Sequence, residues 1–250
     1  MCLVVFNYKS HPKFKLILLA NRDEFFNRPT KQAFLWENGI IGGQDLKAGG
    51  MWMGVNKSGR FAALTNYRNG FDSRSFKTSR GEFVKDYLNS NIDAYEFADN
   101  LSKSKDDYSG YNIIAGDVNK IVYYSNILNE VVTVDKGIHG LSNAFLNTEW
   151  FKVQKAKSMF AKTLDHSQNI DKERLLDILT DEEKCNLNSL PKTGINVELE
   201  YNLSSIFINL EKYGTVSSTL LTIDLNDKIN FLERTYVKGT KNYIIQEFIT

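Results

Sequence analysis

Cys2, directly behind the initiator methionine, is the first residue in this sequence able to carry out a reaction. It leads the apolar run Leu3, Val4, Val5 and Phe6, so its thiol stands at the tip of a strand expected over residues 2–8. Removal of Met1 would leave the thiol and a free α-amine on one carbon skeleton. A thiol titrates near about 8.5 and an α-amine near about 7.7–8.0. The deprotonated amine can therefore take the thiol's proton near neutral pH, giving nucleophile and base in one residue. The plain alternative is that Cys2 is a small hydrophobe beginning a core strand.

Two further stretches carry polar groups on buried strands. In "LLANRDEFFNRPT" an apolar strand runs into Asn21, Arg22, Asp23 and Glu24. Charges at the end of a strand can steady a thiolate or an ammonium and shift its pKa; as an exposed ion pair in a turn they contribute little. Phe25, Phe26 and Pro29 form either an apolar wall or ordinary core. In "AGGMWMGVNKSGRFAALTNYR" Gly49 and Gly50 permit close backbone approach. Asn66 and Tyr67 end a buried strand, where an asparagine amide can donate to an oxyanion. Asn143 in "HGLSN" is either a second such group or part of a helix-entry turn. His139 reads as a hydrogen-bonded structural histidine, and His11 and His166 as surface residues. No His or Cys cluster has zinc-ligand spacing, and no Walker-type phosphate loop occurs.

The elements that must position these groups are strands at both ends of the chain and helices between. Continuous apolar runs predict strands at 2–8, 15–20, 51–56 and 60–66, the last two joined by a hairpin through Ser58-Gly59. Ser79 with Glu82 fits a capping box before the helical "EFVKDYL", and "DAYEFADNLSK" is a second helix. Strands follow at "YNIIAGD", "KIVYYSN" and "EVVTVD". A helix over about 149–164 carries Trp150, Val153, Ala156 or Lys157, and Phe160 along one stripe, and "KERLLDILT" is another. Residues 181–198 read as a long surface connection. The chain closes on strands at "SSIFINL", "SSTLLTID", "INFLERTYV" and "NYIIQEFI". Two antiparallel sheets face to face, with helices outside, would use all of these: an α+β protein built as a four-layer α/β/β/α sandwich. With no linker and no repeat, a single domain over 1–250 is expected.

Composition narrows the function classes. The 250 residues hold 31 Lys plus Arg against 30 Asp plus Glu, a net charge of +1, which gives no reason to expect nucleic acid or an acidic membrane as partner. No apolar run approaches the roughly 20 residues of a transmembrane helix, and the start lacks a secretory pattern. Only two cysteines, Cys2 and Cys185, occur, so no disulfide framework is present, and a reducing, cytoplasmic setting is expected.

Taken together, "MCLVVF", "ANRDEFFNRPT", "GGMWMGVNKSGRFAALTNYR", "SRGE", "YNIIAGD", "HGLSNAFLNTEWFK" and "YGTVSSTLLTID" resemble, in order and spacing, the NRDE family, which includes the transport and Golgi organisation type 2 proteins. The resemblance runs from Met1 to about Arg234. That family is in turn similar to the N-terminal nucleophile hydrolases, above all the bile-salt hydrolase and penicillin V acylase group, which adopt the α/β/β/α sandwich. The resemblance implies Cys2 as nucleophile with its own amine as base, Arg22 and Asp23 beside it, and Asn66 and Asn143 at the oxyanion. Those enzymes separate their Arg and Asp by two residues, whereas here they are adjacent, so whether Asp23 or Glu24 faces Cys2 stays open. Where the family reads "YGTRSST", Val216 stands in place of the arginine: either Arg68 or Arg60 supplies its charge, or the activity differs or is absent.

Two functions follow as expectations. One is hydrolysis of a linear, non-peptide amide or related acyl substrate, with Phe25, Trp52, Tyr67 and Arg68 around a small molecule and no cofactor. The other is a non-catalytic haem- or lipid-binding or trafficking protein. Its pocket would be lined by Trp52, Tyr67, Phe25 and Phe26, with Cys2 or His139 as axial ligand.

Overall fold

Cys2–Tyr8 forms the first strand, β1, and its register against the next decides where the chemistry lies. A computed structural model describes residues 2–72, 74, 79–164 and 169–250; His166 lies outside them. After β1 come β2 (Phe14–Phe25), β3 (Thr30–Leu35), β4 (Ile40–Asp45), β5 (Met53–Asn56) and β6 (Phe61–Asn66). Helices α1 (Glu82–Asn89) and α2 (Ala94–Ser102) lead to β7 (Tyr111–Gly116), β8 (Ile121–Ser125), β9 (Glu130–Thr133) and β10 (Gly137–Leu141). Then follow α3 (Phe151–Leu164), α4 (Lys172–Ile178), α5 (Val197–Asn202), β11 (Tyr213–Asp224), β12 (Ile229–Tyr236) and β13 (Tyr243–Ile249).

The strands make two antiparallel sheets. One is the sequential meander β3 to β9; the other has the order β10-β1-β2-β11-β12-β13. Three apolar layers hold them. Val4, Phe6, Leu18, Ala63, Ile114 and Phe231 pack between the sheets. Phe83, Tyr87 and Phe97 of α1 and α2 cover the outer face of the seven-stranded sheet, meeting Ala62 and Ile113. Val153, Phe160 and Leu175 of α3 and α4 cover Leu3, Val5, Ile17 and Leu19 of the other. Both sheets are therefore buried on both faces, which is why their central strands read as continuous apolar runs. The α+β sandwich is the expected one.

Several local readings are corrected. The strand expected over 15–20 runs to Phe25, so "NRDE" lies within a strand and not beyond its end. The structure adds β3, β4, β10 and α5. "SSIFINL" is irregular chain with one isolated bridge from Asn209 to Gly214, because β2 and β12 already fill both sides of β11. The Ser79–Glu82 capping box does not form. Gly81 precedes the helix without a side-chain cap, Ser79 Oγ accepts from the Gly81 N–H at 3.3 Å, and Glu82 pairs with Lys85 at 2.8 Å. The hairpin at Ser58-Gly59 is as read: Asn56 Oδ1 accepts from the Ser58 and Arg60 N–H groups, and Gly59 takes a φ of 78°. His11 is buried and packs against Phe14 with ring centroids 5.2 Å apart and the planes tilted by 58°; its Nδ1 accepts from the Lys13 N–H, so it is not a surface residue.

Candidate active site

Cys2 pairs directly with Arg22 across the β1–β2 ladder, and Arg22 pairs on its other side with Ser217 of β11. Residues opposite one another in antiparallel strands share a face. Val4 and Phe6 point between the sheets, so the period of two puts Cys2, Arg22 and Glu24 on that inner face and Asn21 and Asp23 on the helix-facing side. Both carboxylates still line the same cleft, and it is the Asp23 charge that acts on the Cys2 thiol. Glu24 shares the face of Cys2. Asp23 reaches Cys2 with its backbone N–H, a bond that favours the thiolate, while its Oδ1 accepts from Thr215 Oγ1 at 2.7 Å.

The inner face opens as a cleft of about 550 Å³ lined by Cys2, Arg22, Glu24, Asp45, Trp52 and Asn66, among others. Arg22 is clamped there. Its Nη1 donates to Thr30 Oγ1 at 3.0 Å, its Nη2 lies 3.6 Å from Glu24 and 3.9 Å from Asp45, and its guanidinium stacks 4.3 Å from the Trp52 ring. Arg28 closes the network with Nε 2.6 Å from Asp45 Oδ2. Burial pushes the Cys2 thiol up from its usual value, and the Asp23 charge adds to this. The positive chain terminus, Arg22 and the Asp23 N–H pull the other way. The thiol thus needs a base to ionise near neutral pH.

Gly50 explains the cleft's far wall. A Cβ there would meet the Gly81 carbonyl carbon at 2.5 Å, and only two glycines let the Met51 N–H reach the Gly81 carbonyl at 3.0 Å. That contact brings the start of α1 over the cleft.

The remaining expected residues divide. Asn66 lines the cleft with Cys2. Asn143 lies behind it, fully buried: its Nδ2 donates to the Asn66 carbonyl at 2.9 Å, and its own carbonyl accepts from the Arg68 N–H at 2.7 Å. It braces the Asn66–Arg68 segment from outside the cleft lining. Phe25 and Trp52 do line the cleft. Tyr67 stacks on Phe145 at 5.0 Å away from it. Arg68 is buried on a second polar cluster, 2.5 Å from Glu200. His139 offers a haem iron no unengaged nitrogen: Nε2 lies 2.9 Å from the Asp135 carbonyl, and Nδ1 lies 3.0 Å from Asn147 Nδ2. Burial lowers its pKa, consistent with a neutral ring. Among the described residues, no group of three metal-ligating side chains occurs.

Lys152 is the residue sequence reasoning missed. It begins α3, is only 2 % exposed, and its Nζ has no hydrogen-bond partner among the described residues. It shares a small cavity wall with Arg68, Cys185 and Glu200. Desolvation pushes its pKa down to about 8, against the pull of Asp23, Cys2 and Glu200. The signal was its spacing, since residues 152, 156 and 160 lie four apart on the buried stripe. Glu200, equally buried, lies in a helix that the long-connection reading omitted. Tyr213 completes the cluster; burial holds its hydroxyl well above the usual range, with Asp23 and Cys2 adding to the shift. Cys2 therefore sits between an open polar cleft and a sealed charged cluster.

With this geometry in hand, comparison with known proteins is informative. The family model described as "Transport and Golgi organisation 2" matches residues 1–238. The chain belongs to that family. The mouse Transport and Golgi organization 2 homolog is 35% identical, covering 94% of this chain and 92% of its own. The human homolog is 33% identical with the same coverage. Among solved structures, a cysteine-to-alanine mutant of the conjugated bile acid hydrolase from Clostridium perfringens matches with a TM-score of 0.52 at 12% identity, over 99% of this chain and 96% of that one. The shared fold is that of the N-terminal nucleophile hydrolases.

The family position held by Val216 is a bulge. β11 slips register against β2 between Thr215 and Ser217, so one extra residue is pushed out of the ladder. Val216 lines a second pocket of about 250 Å³ that shares Phe25, Arg28 and Trp52 with the cleft. Arg60 bonds the Tyr87 and Ile92 carbonyls and Arg68 is held by Glu200, so neither stands in for an arginine at Val216.

Proposed function

We propose that the protein is a hydrolase of linear, non-peptide amides or related acyl compounds, with Cys2 as nucleophile. What supports the reading is the pairing of Cys2 with Arg22 at the mouth of a polar cleft, on a fold shared with a conjugated bile acid hydrolase. Once Met1 is removed, the α-amine of Cys2 takes the thiol proton and the sulfur attacks the acyl carbon. Asn66 donates to the oxyanion. Asp23, through its backbone N–H, and the clamped Arg22 hold the reacting group. As the C–N bond breaks, the amine leaves with the proton held on the α-ammonium; water then cleaves the thioester, releasing the acid and restoring the thiol. The pocket-wall roles fall to Phe25 and Trp52.

The test is intact mass. Native protein should begin at Cys2, and incubation with an activated acyl ester should add one acyl mass to it and none to Cys2→Ala. Equal labelling of both proteins, or turnover by material still carrying Met1, overturns the proposal. Saturable ligand binding without any Cys2 adduct would instead favour carriage of a small molecule in the same cleft. Haem ligation through His139 draws no support from its bonding. No helix among the described residues is long and apolar enough to cross a membrane.

A further inference from the structure

The pocket beside the Cys2 cleft has a composition the hydrolysis reading does not use. Its walls are apolar and largely aromatic, with Phe25, Phe26, Trp52 and Tyr236 around Val216. Two buried polar groups stand against them. Glu233 is 1 % exposed; its Oε1 accepts from the Ala33 N–H at 2.7 Å, while its Oε2 completes no hydrogen bond among the described residues. Thr235 Oγ1 also donates to Oε1 at 3.2 Å, and the buried Ser217 Oγ stands beside the carboxyl and favours its charged form without reaching hydrogen-bond geometry. A buried carboxylate without its full complement of partners is unfavourable. Such a group in an otherwise apolar pocket calls for a partner brought from outside.

The charges around the pocket decide the sign of that partner. Arg22 and Arg28 approach from the cleft side, but both are committed to Glu24 and Asp45, so that quartet is electrically balanced. Lys238 reaches only the exposed rim. Thr30 Oγ1 is taken by Arg22, and the Tyr236 hydroxyl donates to Ser218. Glu233 is the one carboxyl in the lining; burial raises its pKa, while the nearby Arg22 pulls the other way, and aromatic rings stand around it. Aromatic faces attract cations through the ring quadrupole, and a carboxylate supplies the countercharge.

We propose that this pocket is a recognition site for an organic ammonium group carried on an apolar body. The ammonium seats on Glu233 Oε2 and Ser217 Oγ while the body lies against Phe26, Trp52 and Tyr236. The site depends on Val216: a long cationic side chain there would enter the pocket and occupy the carboxyl itself. Binding stands whether or not Cys2 turns over, so the pocket can be tested apart from the chemistry.

The experiment is calorimetric titration of the full chain at neutral pH with hexylamine, charged under these conditions, and with hexanol, its neutral counterpart. Hexylamine should bind at least tenfold tighter than hexanol. Cys2→Ala should keep that preference and Glu233→Gln should lose it. Because Glu233 also holds the Ala33 N–H, Val216→Arg serves as a second variant, expected to fold and to lose hexylamine binding by placing its own guanidinium on the carboxyl. Equal binding of amine and alcohol, no binding of either, or undiminished amine binding by Val216→Arg would each overturn the assignment.

Discussion

The two sheets bury their polar residues differently. In the seven-stranded sheet the central strands are mostly apolar, and the buried Asn112 finds its partners close by. Asn112 donates to Thr65 and to the Ala144 carbonyl and accepts from Tyr123. In the six-stranded sheet Arg22, Asp23, Thr215, Ser217, Ser218, Glu233 and Arg234 are all buried toward the same end. Several lie close to a residue that can react. Polar groups placed in an interior at a cost to stability cluster at functional sites. The seven-stranded sheet is mainly an apolar wall that adds Asp45 and Asn66 to the cleft at its strand ends, and the six-stranded sheet carries most of the buried polar groups near Cys2.

This contrast can be tested, beginning with the largest effect. Glu200→Ala removes the carboxylate that pairs with the buried Arg68, near Lys152. It should destabilise the fold by about 3–5 kcal/mol, read as a lowered urea midpoint, and should change the rate at which iodoacetamide alkylates Cys2. Lys152→Met should do the reverse for stability. With the buried amine at about 8 and an unfolded lysine near about 10.4, both states hold the proton below pH 8, and the full burial penalty of ~3 kcal/mol applies there. Between about 8 and 10.4 the unfolded chain binds more protons than the folded one, so the penalty fades as pH rises. The variant should therefore be more stable than wild type at pH 7, with the gap narrowing across that window in urea titrations at stepped pH. The smallest effect comes from the wall: Ile114→Val, buried between the sheets, should cost about 1 kcal/mol and leave Cys2 alkylation unchanged. A wall substitution that altered Cys2 reactivity, or a cluster substitution that did not, would erase the distinction between the sheets.

How much of this could be read from the residues follows the same divide. Strands covered on both faces announce themselves as apolar runs, so β1, β6, β7, β8, β11 and β12 were all legible. β4 hid because its "GG" looks like a turn. A Cβ at Gly43 would meet the Trp52 ring at 2.3 Å, so glycine there makes room for the indole that carries Arg22. β10 hid because "GIHGL" is short and its pairing partner, β1, lies more than a hundred residues away. Cys2, Arg22 and Asn66 each border a buried run, which is what singled them out in the sequence. Which carboxylate shares the face of Cys2 was not legible, because that depends on where β2 ends, and propensity is weakest at element boundaries. Glu200 and Lys152 were not singled out from the sequence. Their burial follows from how α3 and α5 fold onto the sheet, which composition alone does not reveal.

The topology of the six-stranded sheet also has a temporal consequence. β2 can zip against β1 as soon as both leave the ribosome, but its other neighbour, β11, begins at Tyr213. Pairings across such long stretches of chain form late. Thr215, Ser217 and Glu233 are thus absent from Arg22 and Asp23 until the chain has been made beyond Glu233. A partly made chain would therefore display its cysteine without the buried surroundings that set its pKa in the folded protein.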